Sequence, residues 1–422
     1  MTDTISIKVL AIGIIGVACF VASLLVMGLV EERQHRADEA KSEIAQGWGE
    51  RQTIVGPMLI AEVSVVRGTS SYLEKAYVLP AILNYETVLE PEVRSRGIFK
   101  SVVYVSKVKV SGEFSPDDMR SLTSRGIYNA TLAVEITDTR GIERQFDLNW
   151  RGTSFAFEPG SGFETLNSSG LHVAVPISGS AKIPFSFELK LKGSEGILIA
   201  PLGTETSLSI ASLWPNPKFV GKFLPTSREI TKDGFISEWH LSSLGRSYPA
   251  TWQGEKLDLL QFAGSAAGVD LHPGIDTYDM VQRAVKYAIL FIVLTFAAYF
   301  LFDVLAGVHV HPIQYLLVGS ALALFYLLLL SLTEQIGFTP AYLLATTMIA
   351  FLITSYSAFV LKSRRRAFPI FALLTTLYAY LYFILHLEDY ALIAGSLFLF
   401  MILAAVMYMT RNTDWFSLGK KE

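Results

Sequence analysis

Residues 276–307 read DTYDMVQRAVKYAILFIVLTFAAYFLFDVLAG, and this stretch changes solvent partway along. Asp276, Asp279, Arg283 and Lys286 give it a polar first third, whereas Tyr287 to Phe302 carries no charge. The pattern predicts one helix that starts at a membrane surface and dives into the bilayer. Everything before it, back to about residue 52, alternates between apolar and polar residues. Almost everything after it is hydrocarbon-like. The stretch is therefore the hinge between a water-facing part and a membrane bundle.

The downstream apolar runs are Ala284 to Phe302, Ile313 to Leu332, Pro340 to Leu361, Ala367 to Leu385 and Tyr390 to Met409. Each is long enough to cross a hydrocarbon core of about 30 Å as a helix. A sixth run lies at the other end, Val9 to Val30. No small-residue cleavage site follows it, so it reads as an uncleaved signal anchor. Glu31 to Trp48 is polar and continues as helix, its only glycine being Gly47.

Between these membrane segments the period falls to two. Phe185, Phe187, Leu189 and Leu191 alternate with Ser186, Glu188, Lys190 and Lys192. Val102, Tyr104, Val108 and Val110 share one face, as do Leu132, Val134 and Ile136, and Leu171, Val173, Val175 and Ile177. Such strands belong in antiparallel sheet with one wet face, here most simply packed sheets. Glu158-Pro159-Gly160 and Lys232-Asp233-Gly234 punctuate the runs as turns.

The expected fold is a membrane protein of the α+β class. Residues 1–30 form the anchor, 31–283 a large periplasmic β-rich domain, 284–410 a five-helix transmembrane bundle and 411–422 a cytoplasmic tail. Six membrane helices result. Charge sets the direction. Lys362-Ser-Arg-Arg-Arg366 and the tail, with Arg411, Lys420 and Lys421, belong on the cytoplasmic side, while the loops at Glu334 and at Glu388-Asp389 lack cations and belong outside. Counting back places both termini in the cytoplasm. Bulk composition agrees: 51% of residues are hydrophobic and mean hydropathy is +0.41, too apolar for a soluble protein. A net charge of −3 gives no field for nucleic acid, and the single cysteine, Cys19, excludes an intrachain disulfide.

Several strings resemble the CreD family of bacterial inner-membrane proteins. They include Val55-Gly-Pro-Met-Leu-Ile60, Trp214-Pro-Asn-Pro-Lys-Phe-Val-Gly-Lys-Phe-Leu-Pro225, Arg283-Ala-Val-Lys-Tyr-Ala-Ile-Leu, His311-Pro-Ile-Gln-Tyr-Leu-Leu-Val-Gly319, Leu387-Glu-Asp-Tyr-Ala-Leu392 and Thr410-Arg-Asn-Thr-Asp-Trp415. The likeness spans nearly the whole chain and is weakest at 72–91 and 245–267. It implies a role in cell-envelope integrity, tied to a two-component response to envelope or β-lactam stress, and it implies no catalytic residues.

Among the polar constellations, His309 and His311 with Asp303 offer a metal set, yet two histidines at a helix edge need no metal. Ser106 and Lys109 have the serine–lysine spacing of penicillin-binding enzymes, but in a strand they point to opposite faces. Ser417 and Lys420 repeat that spacing on the cytoplasmic side. His172 and His240 lie in strands as exposed histidines or as acid–base partners of a carboxylate. Tyr378 and Tyr382 share a helix face, with Tyr380 opposite. The most distinctive water-facing stretch holds Trp214, Pro215, Pro217, Phe219 and Phe223, followed by Arg228. It reads either as an interaction surface for an envelope polymer or protein partner, or as a rigid loop whose aromatics fill a core edge.

The leading expectation is a non-enzymatic inner-membrane protein that supports envelope integrity through a periplasmic domain that binds or senses an envelope component. A transporter or handler of a lipid or envelope precursor is the alternative, and a membrane-anchored periplasmic hydrolase the second. No cofactor or metal is expected. The expected partners are membrane lipids and an envelope polymer, precursor or protein. No sequence feature sets the oligomeric state.

Overall fold

A single helix, α1, runs from Thr2 to Trp48 without interruption. The computed structural model of the protein describes residues 2–67, 70–124, 126–161, 169–177, 181–254, 259–271, 277–306, 310–387 and 390–411. Within it the chain forms two compact units, residues 37–274 and residues 1–36 with 275–422, so the division falls inside α1.

The first unit is built of two sheets. One is nine-stranded among the described residues. Its order is Pro217–Gly221, Ala267–Leu271, Gly196–Ile199, Gln52–Arg67, Ile127–Ile136, Gly170–Ala174 and Glu158–Pro159, with Ser70–Val78 added beside the long strand and Thr251–Gln253 paired to Ser70–Val78 in turn. The other is eight-stranded, in the order Ser227–Thr231, Gly234–Ser242, Glu205–Ser212, Ile82–Arg96, Phe99–Phe114, Ile183–Ser194, Asp147–Trp150 and Thr153–Ala156. Side chains of both sheets meet in one core, Ile54, Leu59, Leu132 and Val134 from one and Leu83, Tyr85, Val108 and Phe187 from the other. Alternation explains the register. Phe185, Phe187, Leu189 and Leu191 are buried, while Glu188 and Lys190 between them are exposed. Each such side chain contributes about 1.5–3 kcal/mol on burial.

Two details depart from the sequence reading. Each sheet contains one parallel pairing, Gln52–Ile54 with Ile197–Ile199 and Ile82–Leu89 with Glu205–Ser212, where purely antiparallel ladders were expected. Glu158-Pro159 is a short edge strand rather than a turn, because proline lacks a ladder donor and an edge asks for none. Only Gly160 after it turns, with φ +97°. The turn expected at Lys232-Asp233-Gly234 is present, as a hairpin loop of Lys232 and Asp233 with Gly234 already in the next strand. Two short helices complete this unit. They are α2, Pro116–Thr123, capped by Ser115 and burying Met119 and Leu122, and α3, Leu259–Ala263.

The second unit is helical. The stretch that opens the reading is two helices, α4 (Thr277–Lys286) and α5 (Ala288–Ala306), with Asp276 and Gly307 outside the described residues. At the break Tyr287 N–H donates to Ala284 and Leu290 N–H to Tyr287, a tightened turn in place of the i→i−4 ladder. Then come α6 (Pro312–Ile336), α7 (Phe338–Val360), α8 (Arg364–His386) and α9 (Ala391–Thr410). Among the described residues, α1, α4 with α5, α6, α7 and α8 are long and apolar enough to cross a bilayer, and α9 adds a shorter apolar stretch, Leu392–Tyr408. Gly337 alone joins α6 to α7 at φ +80°, a conformation that favours glycine.

Beyond anchoring, α1 packs into this bundle. A Cβ on Gly319 of α6 would lie 2.4 Å from the Cys19 sulfur and 2.8 Å from Phe296 of α5, so only glycine admits the contact.

Candidate functional site

The stretch from Trp214 to Arg228 turns its aromatics inward. Pro217 opens an edge strand that pairs with Ala267–Leu271, and Gly221, at φ +101°, ends it against the Ala266 carbonyl. Phe219 meets Phe235 and Trp239 edge-on, with centroids 6.1 and 6.0 Å away. The Trp239 indole donates to the Phe223 carbonyl at 3.1 Å. Trp214 and Phe223 are half-buried against the core. Arg228 lies 5.8 Å over the Phe219 ring and Lys222 lies 5.9 Å over that of Phe223. The exposed side chains include Pro215, Lys218, Lys222, Leu224 and Arg228. Leu224 is 69% exposed and Leu244, on the loop where Gly245 touches Phe223, is 94% exposed. The arrangement brings Phe219 and Phe223 onto Trp239 and leaves Arg228 with a leucine and lysine rim outside.

The end of α1 is held in the β-rich unit by Trp48. Its ring meets the Arg94 guanidinium, 3.7 Å from the centroid, and the Lys192 ammonium at 4.6 Å, and its indole donates to the Tyr104 carbonyl at 3.2 Å. Beside it, Arg140 forks onto Asp138 at 2.8 and 2.9 Å and holds that carboxyl below the usual range. Glu135 is different. One of its oxygens is shielded with no hydrogen-bond partner among the described residues, and burial pushes the carboxyl up to about 7.

A second site lies in the bundle, around Glu334 near the end of α6. Arg33 of α1 donates from Nε and Nη2 to the two carboxylate oxygens, each at 2.7 Å, and Tyr278 of α4 donates to one of them at 3.0 Å. Arg283, one turn and a half further along α4, donates to the Leu387 carbonyl at 2.9 Å just past the end of α8, where a cation meets unpaired carbonyls. The side chain of Glu334 is only 11% exposed. At the other end of α1, Lys8 is paired with Asp303 of α5. Lys8 and Arg33 are about 37 Å apart along the helix, more than the hydrocarbon core and less than the full bilayer. The two ion pairs therefore fit opposite interfacial layers. About 25 residues is almost seven whole turns, so both cations share one face of α1 with Cys19 between them.

This junction was missed in the sequence, where Lys8 and Glu334 served only to orient helices. Its partners are 295 and 301 residues apart, and the one local signal was the shared face of Lys8 and Arg33.

The remaining constellations have local explanations. His311 is the N-cap of α6, its ring accepting from Ile313 N–H at 3.3 Å while Gln314 returns the bond, and Asp303 is engaged by Lys8. His309 lies outside the described residues, as do Glu388, Asp389, Ser417 and Lys420. Ser106 is buried and donates to the Leu191 carbonyl, while Lys109 is exposed on the other face. His172 sits 3.8 Å from Glu158 at the sheet surface and shares a bond with the Gly160 carbonyl, and His240 is exposed. Tyr378 packs on Phe291 and Phe325, Tyr382 on Tyr342, and Tyr380 stacks on Phe398 of α9.

With this geometry in place, comparison with known proteins is specific at the level of the whole chain. The family model described as inner membrane protein CreD matches residues 4–416. Inner membrane protein CreD of Escherichia coli strain K12 is 30% identical over 419 residues, covering 94% of this chain and 90% of that protein. Solved structures are far more distant. A proposed nutrient-binding protein from Legionella pneumophila matches 55% of this chain and 78% of its own at 7% identity, with a TM-score of 0.30. An M1 zinc metallopeptidase from Deinococcus radiodurans matches 50% of this chain and 53% of its own at 7% identity, with a TM-score of 0.24. At such scores neither bears on fold or chemistry.

Proposed function

We propose, for a chain that belongs to the CreD family of inner-membrane proteins, a non-enzymatic role in keeping the cell envelope intact under envelope or β-lactam stress. In this reading the β-rich domain is periplasmic and binds or senses an envelope component, and both termini are cytoplasmic. Lys362, Arg364, Arg365 and Arg366 support that direction, because helix alternation puts them at the same bundle end as Lys8. The leucine and lysine rim beside Trp214, Phe219 and Phe223 is the surface offered to the envelope component.

The observation that carries the proposal is the gathering of two chain connections on one carboxylate. The β-rich domain is entered through α1 and left through α4, and Glu334 holds Arg33 of the first and Tyr278 of the second. A ligand-dependent change in the domain reaches the bundle through these connections, and Glu334 is where the bundle reads both. Glu334→Gln keeps the shape and removes the charge. In cells lacking their own family member, wild-type protein restores β-lactam and detergent tolerance, and an equally abundant, folded Glu334→Gln variant does not. Tolerance at the wild-type level in that variant would overturn the coupling role. Turnover of an envelope substrate by purified protein would overturn the non-enzymatic part.

A further inference from the structure

The bundle also carries an open groove of 790 Å³ between α7 and α8, in the size range of ligand sites. Ala350, Ala358 and Ala367 lie along it and Phe351, Phe359 and Phe371 stand exposed beside them, so it is apolar and concave along most of its length. Its end is not apolar. Arg364 lines it there, next to Arg365 and Arg366 and two residues after Lys362. None of these four cations has an ion-pair partner among the described residues, in contrast to Lys8 and Arg33 at the bilayer edges.

The hydroxyls along the groove add a second mark. Thr347 and Ser355 bond back to the carbonyls of Leu343 and Phe351, each at 2.7 Å, as membrane-helix hydroxyls ordinarily do. Thr354 does not. Its oxygen is shielded and has no hydrogen-bond partner among the described residues. It lies six residues before the end of α7, about 9 Å down the groove, close below the headgroup layer.

We propose that this groove is a binding site for an anionic phospholipid. Arg364 engages the phosphate by charge-assisted hydrogen bonds, a χ1 rotation of Thr354 brings its hydroxyl out of its shielded position to donate to an ester carbonyl beneath it, and an acyl chain lies on the alanine floor beside the phenylalanines. The proposal rests on the membrane location of the bundle and is independent of the envelope role. A second copy of the chain is the competing occupant. A two-fold contact through this face brings two clusters of four cations together at one membrane surface, and that repulsion argues for the lipid.

The test is native mass spectrometry of the full chain in detergent, supplied with phosphatidylglycerol or phosphatidylethanolamine of identical acyl chains. Wild-type protein retains phosphatidylglycerol in preference. Arg364→Gln weakens that retention about tenfold, the equivalent of one lost charge-assisted bond, and Thr354→Val weakens it about threefold. Arg411→Gln removes the same charge outside the groove and leaves retention unchanged, which separates a site from general attraction to anionic lipid. All three variants leave the backbone contacts of the bundle alone, and a retained thermal transition verifies folding. Equal retention of the two lipids, or equal effects of Arg364→Gln and Arg411→Gln, overturns the proposal. So does a dimer that carries no lipid and dissociates in Thr354→Val.

Discussion

The β-rich domain and the bundle use the same charged residues in two different solvents. In the domain, Lys107 and Glu188 pair at 3.1 Å with both side chains more than 40% exposed, and water takes most of the energy from the contact. In the bundle, Arg33 and Glu334 pair at 2.7 Å with the carboxylate nearly enclosed, where an unpaired partner is costly. The domain is held by its shared apolar core and spends its charges on solubility. The bundle has lipid on its outside, gains less from burying apolar area, and uses a few charge pairs to fix which helices meet. An ion pair is informative about architecture only where its surroundings make its loss expensive.

The largest effect that sharpens this contrast is expected at Glu334. Glu334→Ala removes both carboxylate bonds of Arg33 at the bilayer edge and lowers bundle stability by about 2–4 kcal/mol. The measure is the denaturation midpoint in mixed micelles, and the exchange Arg33→Glu with Glu334→Arg returns at least half. A loss no larger than at Lys107 breaks the contrast.

Next is packing. Gly319→Ala drives a methyl into Cys19 and Phe296 and costs about 1–3 kcal/mol, and adding Cys19→Ala recovers part of it.

The third effect is in the domain and depends on pH. The folded Glu135 carboxyl titrates near 7 and the unfolded one near its ordinary value of 4.5. Folding therefore holds a proton that the unfolded chain releases, and the domain loses stability as pH rises through that window. Glu135→Gln raises stability by about 1–2 kcal/mol at pH 8, allowing for partial solvent access, and by almost nothing at pH 4. Tryptophan fluorescence during unfolding at the two pH values follows this directly. An equal gain at both values excludes titration as the cause.

The smallest effect is at the surface pair, where Lys107→Ala changes domain stability by no more than about 0.5 kcal/mol.

What the sequence displays is what depends on local period. Phe185 to Leu191 announces a half-buried strand in seven residues, and the run from Val9 to Val30 announces a membrane helix in about six turns. Pairings between distant segments leave no such trace. The parallel match of Ile82–Leu89 with Glu205–Ser212 joins strands more than a hundred residues apart, and nothing in either strand names the other. The break at Tyr287 carries no proline or glycine, so the stretch from Asp276 reads as one helix until its hydrogen bonds are seen. At Trp214 to Arg228 the composition was legible but its direction was not. Prolines and aromatics in one loop suit an exposed surface or a core edge equally well, and only the contacts with Phe235 and Trp239 turn the rings inward. Glu334 was hidden for a simpler reason, since its cation lies 301 residues earlier.

That separation has a consequence in time. Ribosomes add about 5–20 residues each second, so Lys8 and Arg33 enter the membrane roughly 15–60 seconds before Asp303 and Glu334 exist. Through that interval α1 holds its place by its apolar length alone, while the intervening chain has time to form its sheets. The two carboxylates arrive with α5 and α6 and close on a helix already in position. The bundle is therefore built by later-made helices around its first, and variants at Glu334 or Asp303 should reveal themselves during synthesis, as a first helix left waiting and exposed to membrane proteases.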